Sequence, residues 1–116
     1  MILPKRLAGK PHKAHQRAPK QEKELAKRIG GKTVRGSGCG SEKGDVRIKG
    51  VARLEAKTTS HASFSITRDM VRKIETAAMS CGEVPAIVVE FLSKDGKPMH
   101  EVAVVPTWVL NSLTSV

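Results

Sequence analysis

Aromatic residues are nearly absent from this chain. It has two Phe, one Trp and no Tyr, 3% of 116 residues, so a stacking platform for single-stranded bases is not expected. Cysteine is scarce as well. Cys39 and Cys81 match no zinc spacing and build no disulfide framework, and both are expected as reduced thiols of a cytoplasmic protein. The longest apolar runs, around Val84–Leu92 and Val102–Pro106, fall far short of the ~18 residues that span a bilayer. The opening Met-Ile-Leu-Pro-Lys has no apolar stretch of signal-peptide length, so no membrane contact is expected. Acidic residues are outnumbered, 11 Asp+Glu against 21 Lys+Arg, for a net charge of +10. On so small a chain that excess points to a polyanionic partner, most often nucleic acid. Hydrophobic residues make up 39% of the chain, which excludes full disorder, and the length fits one domain.

The charge is concentrated at one end. Residues 1–36 hold eleven basic side chains (Lys5, Arg6, Lys10, Lys13, Arg17, Lys20, Lys23, Lys27, Arg28, Lys32 and Arg35) and only two acids, Glu22 and Glu24. Residues 1–20 also carry Pro4, Pro11 and Pro19 and little apolar periodicity. They read as an extended basic arm before a domain at 21–116. Such an arm is suited to lie along phosphates, where each neutralised phosphate releases a counterion.

Within 21–116 the pattern is α-β-β-β-α-β-β-α. Gln21–Ile29 predicts a helix, with Leu25 and Ile29 on one face and Gly30-Gly31 ending it. Lys32–Arg35 is a short strand running into the turn Gly36-Ser37-Gly38-Cys39-Gly40. Asp45–Ile48 and Ala52–Thr58 alternate around Gly50 as a hairpin. Ile66, Met70, Val71, Ile74, Ala77, Ala78 and Cys81 recur at helical spacing, with Ser65 or Thr67 as cap and Gly82 as stop. Met70 and Met79 are read as core or helix-packing residues. Val84–Leu92 is a strand buried on both faces. Met99–Val105 returns as another strand, and a short helix opens at Pro106-Thr107-Trp108.

The hairpin carries the chemistry. A register with all apolar side chains on one face pairs Ile48 with Ala52 and Val46 with Leu54, around the loop Lys49-Gly50-Val51. It also sets Arg47 opposite Arg53, and Asp45 opposite Glu55. Directly opposed Cβ atoms lie about 4.5–5.5 Å apart, so two carboxylates there repel unless a cation sits between them. Few, hard oxygen ligands with room left for water and phosphate suit Mg²⁺. Lys57 shares the face of Glu55 by the two-residue period of a strand, and the carbonyl of Ala56 can add a ligand. An ammonium there can hold an attacking water or stabilise charge building on a phosphate. The same three residue types on a strand also suit a plain solvated face. His12, His15, His61 and His100 form no metal spacing, and the Gly-rich turn lacks the Lys-Ser/Thr of a nucleotide loop, so no nucleotide cofactor is expected.

The wider pattern Glu22…Gly36-Ser37-Gly38…Gly44-Asp45…Glu55-Ala56-Lys57-Thr58 resembles the PD-(D/E)XK nuclease superfamily, and most closely the small Holliday junction resolvases of archaea and phages. The resemblance runs from about Gln21 to Phe91. It takes in the Glu-Lys-Glu-Leu opening of the first helix, the helix after Ser65-Ile66-Thr67 and the turn Gly82-Glu83-Val84-Pro85. Gly44 stands where the superfamily's name has Pro, and the arm at 1–20 is outside the family core.

That resemblance implies an α/β domain with a restriction-endonuclease-like mixed sheet flanked by helices. It implies Mg²⁺, with Mn²⁺ able to substitute, on Asp45, Glu55 and the Ala56 carbonyl. Lys57 would assist the water, Ser37 would lie near the scissile phosphate, and Glu22, with Glu24 as the alternative, would be the helix-borne acid. Arg35 would contact phosphate. The expected DNA contacts are Lys5, Arg6, Lys10, Lys13, Arg17, Lys20, Lys32, Arg35 and Thr58. The implied activity is hydrolysis of phosphodiester bonds in four-way DNA junctions by a homodimer. The alternatives are a nicking or repair endonuclease on other branched or damaged DNA, and a non-catalytic DNA-binding module.

Overall fold

The computed structural model of the chain describes residues 17–33 and 45–114. Arg35, Ser37, Gly38 and Cys39, and the arm residues Lys5, Arg6, Lys10 and Lys13, lie outside them. The described part is an α/β domain with one five-stranded mixed sheet and three helices, α1 at residues 17–29, α2 at Arg68–Met79 and α3 at Thr107–Thr114. The strands β1 (Lys32–Thr33), β2 (Asp45–Ile48), β3 (Ala52–Thr59), β4 (Val84–Leu92) and β5 (Pro98–Val104) stand side by side in chain order. Only the β3–β4 pair is parallel. A parallel neighbour needs a crossover, and α2 supplies it. The α-β-β-β-α-β-β-α order read from the sequence is the observed one.

The period of two along β3 divides the core into two layers. Leu54 and Ala56 face α1 and pack with Leu25, Ala26, Val46, Ala86 and Val88. From the opposite face of the sheet, Ile87 and Val89 meet Ile74 of α2, with Phe64, Ile66, Met70, Val71, Phe91 and Val104 around them. Each fully buried Leu, Ile or Val contributes roughly 1.5–3 kcal/mol by leaving water. Met70 therefore belongs to the core as expected. Met79 does not: at the last turn of α2 it is 61% exposed. Of the apolar residues of α3 only Val109 is buried, and the Trp108 indole Nε1 donates to Glu75 Oε2 of α2 at 3.0 Å.

Local chemistry explains the boundaries. Thr67 caps α2, its hydroxyl accepting from the Met70 N–H at 3.1 Å. Gly82, at φ +69°, closes the turn after α2 and excludes Cys81 from the helix. Gly30 takes the left-handed conformation after α1, and Gly31 then lets the chain press on β2. A Cβ at Gly31 would lie 2.7 Å from the Arg47 carbonyl oxygen.

The start of the first helix differs from expectation. Residues 17–20, read as the end of an extended arm, are helical, Pro19 among them. The reason is Arg17. Its guanidinium grips Glu90 of β4 with Nε and Nη2, each at 2.9 Å, and also holds Glu24 one helical row away. Glu90 is a lone acid inside the apolar run of β4, and its side chain is only 5% exposed. Such a carboxylate requires a partner, and its demand draws the helix N-terminally past Gln21.

Arg17→Ala would leave that carboxylate buried and unpaired. We expect a loss of about 3–5 kcal/mol in denaturant unfolding. Replacing both partners, Arg17→Met with Glu90→Leu, is expected to restore most of it.

Candidate active site

The hairpin register is the one read from the sequence. Asp45 pairs with Glu55, Val46 with Leu54, Arg47 with Arg53, and Ile48 with Ala52. Gly50, at φ +76°, makes the reversal, and the Val51 N–H returns to the Ile48 carbonyl at 2.8 Å. The apolar pairs face α1, so positions 45, 47, 53, 55 and 57 share the other face.

Two arginines directly opposed would repel. Glu83, in the turn before β4, answers both. Its Oε2 accepts from Arg47 Nε at 2.6 Å and from the Gly50 N–H at 2.9 Å, and its Oε1 lies 3.5 Å from Arg53 Nε. Arg53 and the Glu83 side chain are fully buried, and Arg53 Nη2 also touches the free thiol of Cys81 at 3.9 Å. Burial alone would push the Glu83 carboxyl up. The hydrogen bonds from Gly50 and Arg47, with the charges of Arg47 and Arg53, more than offset it and hold the group below the usual carboxylate range. Neither Glu83 nor Glu90 was identified from the sequence as a partner. A single acid at the mouth of an apolar strand, and another within it, were the available signals.

Farther along the same face, Lys57 Nζ lies 3.0 Å from Glu55 Oε2, with the two side chains 39% and 21% exposed. The register sets position 45 directly across from Glu55. Cα atoms of opposed antiparallel residues are about 4.5–5.5 Å apart, close enough for two carboxylates to share one cation. The donor chemistry suits a hard divalent ion: carboxylate oxygen from Glu55 and Asp45, with the Ala56 carbonyl between Glu55 and Lys57 in the chain. Among the described residues no three His, Cys, Asp or Glu side chains gather as a metal cluster.

Glu22 rides on α1, whose inward residues pack against the opposite face of the sheet. Its neighbour Gln21 is buried and donates from Nε2 to the Lys57 carbonyl at 2.8 Å, so the first turns of α1 lie at the level of Lys57. Glu24 is engaged by Arg17, which draws its carboxyl below the ordinary range chiefly through their hydrogen bond.

Two of the residues expected to contact DNA have partners within the fold. Arg17 is committed to Glu90 and Glu24, with its side chain 13% exposed. The Thr58 hydroxyl donates to Glu90 Oε1 at 3.2 Å, on the α1 side of the sheet and away from Glu55 and Lys57. Lys20 and Lys32 are exposed.

No family model, curated protein or solved structure matches the chain. No helix among the described residues is long and apolar enough to cross a membrane.

Two outcomes follow from the contrast between Glu83 and the exposed pair. A depressed carboxyl contributes stability that is present above its unfolded pKa, about 4.3, and is lost as pH falls through its folded value. Glu83→Gln should therefore cost about 3–5 kcal/mol at neutral pH, and the gap to the unsubstituted protein should shrink in acid-unfolding series below about pH 4.5. Glu55→Gln and Lys57→Ala should each change unfolding stability by less than about 1 kcal/mol, since a half-exposed ion pair contributes little. A larger loss would give that pair a structural role.

Proposed function

We propose that this chain is a Mg²⁺-dependent, structure-selective DNA endonuclease, a Holliday junction resolvase with the restriction-endonuclease-like fold of the PD-(D/E)XK superfamily. The observation that carries the reading is the register setting position 45 across from Glu55, with Lys57 Nζ 3.0 Å from Glu55 Oε2 on the same face. The motif resemblance and the net charge of +10 support it.

Asp45, Glu55 and the Ala56 carbonyl would hold Mg²⁺, which when bound supplies Lewis-acid activation of water and neutralises charge on the phosphate. The chain's own residues orient the reaction. An ammonium has three N–H donors. One of those on Lys57 meets Glu55, and the others can hold a water in line with phosphorus or receive a phosphoryl oxygen as charge builds there. The Gln21 hydrogen bond to the Lys57 carbonyl and the β3–β4 pairing hold that backbone in place. The helix-borne acid that the resemblance implies, Glu22 or Glu24, rides on α1 across the sheet from Glu55 and Lys57, and Glu24 is engaged by Arg17. Cleavage leaves a 5′-phosphate, as the resemblance implies. Four-way junctions need two symmetric cuts, so the working form is a homodimer with one site per subunit.

The test is incubation of a synthetic four-way junction with protein and Mg²⁺, resolved strand by strand. Paired symmetric nicks are expected. Asp45→Asn should reduce cleavage at least ~100-fold, since removing one charge-stabilising group at a reacting centre commonly costs 10²–10³, and should leave junction binding intact. If unsubstituted protein cuts no branched or linear DNA, the non-catalytic binding module is the correct reading. Cuts confined to nicked or damaged duplexes would favour the repair endonuclease.

A further inference from the structure

Helix α1 presents a second charged surface. Lys20, Lys23 and Lys27 are exposed, and Gln21, Leu25 and Ala26 are buried. Successive residues of a helix turn by about 100°, which sets the three lysines on the side of α1 opposite that buried stripe. They follow one another over seven residues, roughly 10 Å of helix axis. Glu24 lies on the same side of the helix beside Lys20 and Lys27, its carboxylate hydrogen-bonded to Arg17, so the face carries three cations against one partly engaged acid. The support is fixed. Arg17 is tied to Glu90, Gln21 to the Lys57 carbonyl, and Leu25 and Ala26 to the core. Lys27 and Arg28 in the last turn also suit the negative end of the helix dipole.

This row faces away from the sheet on the side that α1 covers, whereas Glu55 and Lys57 project from the other side. Duplex DNA is stiff, with a persistence length of about 150 bp, so one straight segment does not wrap a domain of this size to touch both surfaces. Two arms leaving a branch point can.

We propose that Lys20, Lys23 and Lys27 form a phosphate track for a second duplex segment, distinct from the segment held at Glu55 and Lys57. The proposal rests on the nuclease reading, since it assigns a further contact to the same branched substrate. Its chemistry is ion pairing with phosphodiester oxygens, which carries no base preference.

The experiment compares binding of a four-way junction and of a linear duplex across a salt series without Mg²⁺. The proteins are the unsubstituted chain, the Lys20→Gln/Lys23→Gln/Lys27→Gln variant, and a Lys49→Gln/Lys94→Gln/Lys97→Gln variant that removes equal charge from the two β-turns. Each lost phosphate contact takes about 0.9 from the slope of log K against log[salt]. The α1 variant should therefore show a junction slope shallower by about 2–3, with the linear-duplex slope unchanged. The turn variant should match the unsubstituted chain. An unchanged junction slope in the α1 variant overturns the track. So does an equal loss in the turn variant, or an equal loss on linear duplex. Loss of binding to anionic lipid vesicles with an unchanged junction slope assigns the row to a membrane surface and also overturns it. Cleavage by the unsubstituted chain with Mg²⁺ is scored separately, so failure of the nuclease reading shows as absent cleavage whatever the slopes are.

Discussion

The pairing of β2 with β3 is the constraint on which the candidate site depends. A slip of one residue would turn Val46 and Leu54 out of the core and bring Arg47 and Asp45 into it. The allowed register has its own cost, because it opposes Arg47 and Arg53. Glu83 offsets that repulsion from the far side of the crossover, and by accepting from the Gly50 N–H it fastens the hairpin reversal to the start of β4. The same pairing then has no choice but to oppose position 45 and Glu55. Glu55, by contrast, is paired with the partly exposed Lys57. The fold neutralises the arginine pair internally, and Glu55 stays partly exposed at 21%.

The two ion-pair systems divide the work of the sheet. Arg47, Arg53 and Glu83 lock the loop end of the hairpin, on the face away from α1. Arg17, Glu90 and Thr58 lock α1 to the opposite face, near the far end of β3. Breaking either system by removing one partner leaves a charge in a poorly solvated place, which is costly. Lys57 and Glu55 lie between them on a backbone held from both ends. Glu55 and Lys57 can stay partly exposed and contribute little to stability because these neighbours do the holding.

Much of the architecture was legible in the sequence because it is periodic. Alternation over Asp45–Ile48 and Ala52–Thr58, with Gly50 between, was enough to define register, and hence the opposition of Asp45 and Glu55. Helical spacing from Ile66 to Ala78, Thr67 as cap and the unbroken apolar run of Val84–Leu92 were equally plain. Most of what escaped was non-local. Arg17 looks like one more cation in a basic arm until Glu90, 73 residues later, is placed beside it. Thr58 looks like a phosphate contact next to Lys57, but strand alternation sends it to the other face. Glu83 is one acid in a turn until two arginines converge on it. Met79 was read alongside Met70, yet at 100° per residue it falls well off the buried stripe of Ile74, Ala77 and Ala78. The three lysines of α1 were counted as charge, and their alignment on one side emerged only once the helix and its buried stripe were known.

The central claim is that carboxylates from two adjacent strands hold a divalent ion together. Titration of the protein with Mn²⁺, followed by loss of the free-ion electron paramagnetic resonance signal, measures this without reference to any substrate. The account predicts a bound ion in the unsubstituted chain, lost in both Asp45→Asn and Glu55→Gln and retained in Glu24→Gln. Equal Mn²⁺ binding by all four proteins, or none by any of them, would contradict it.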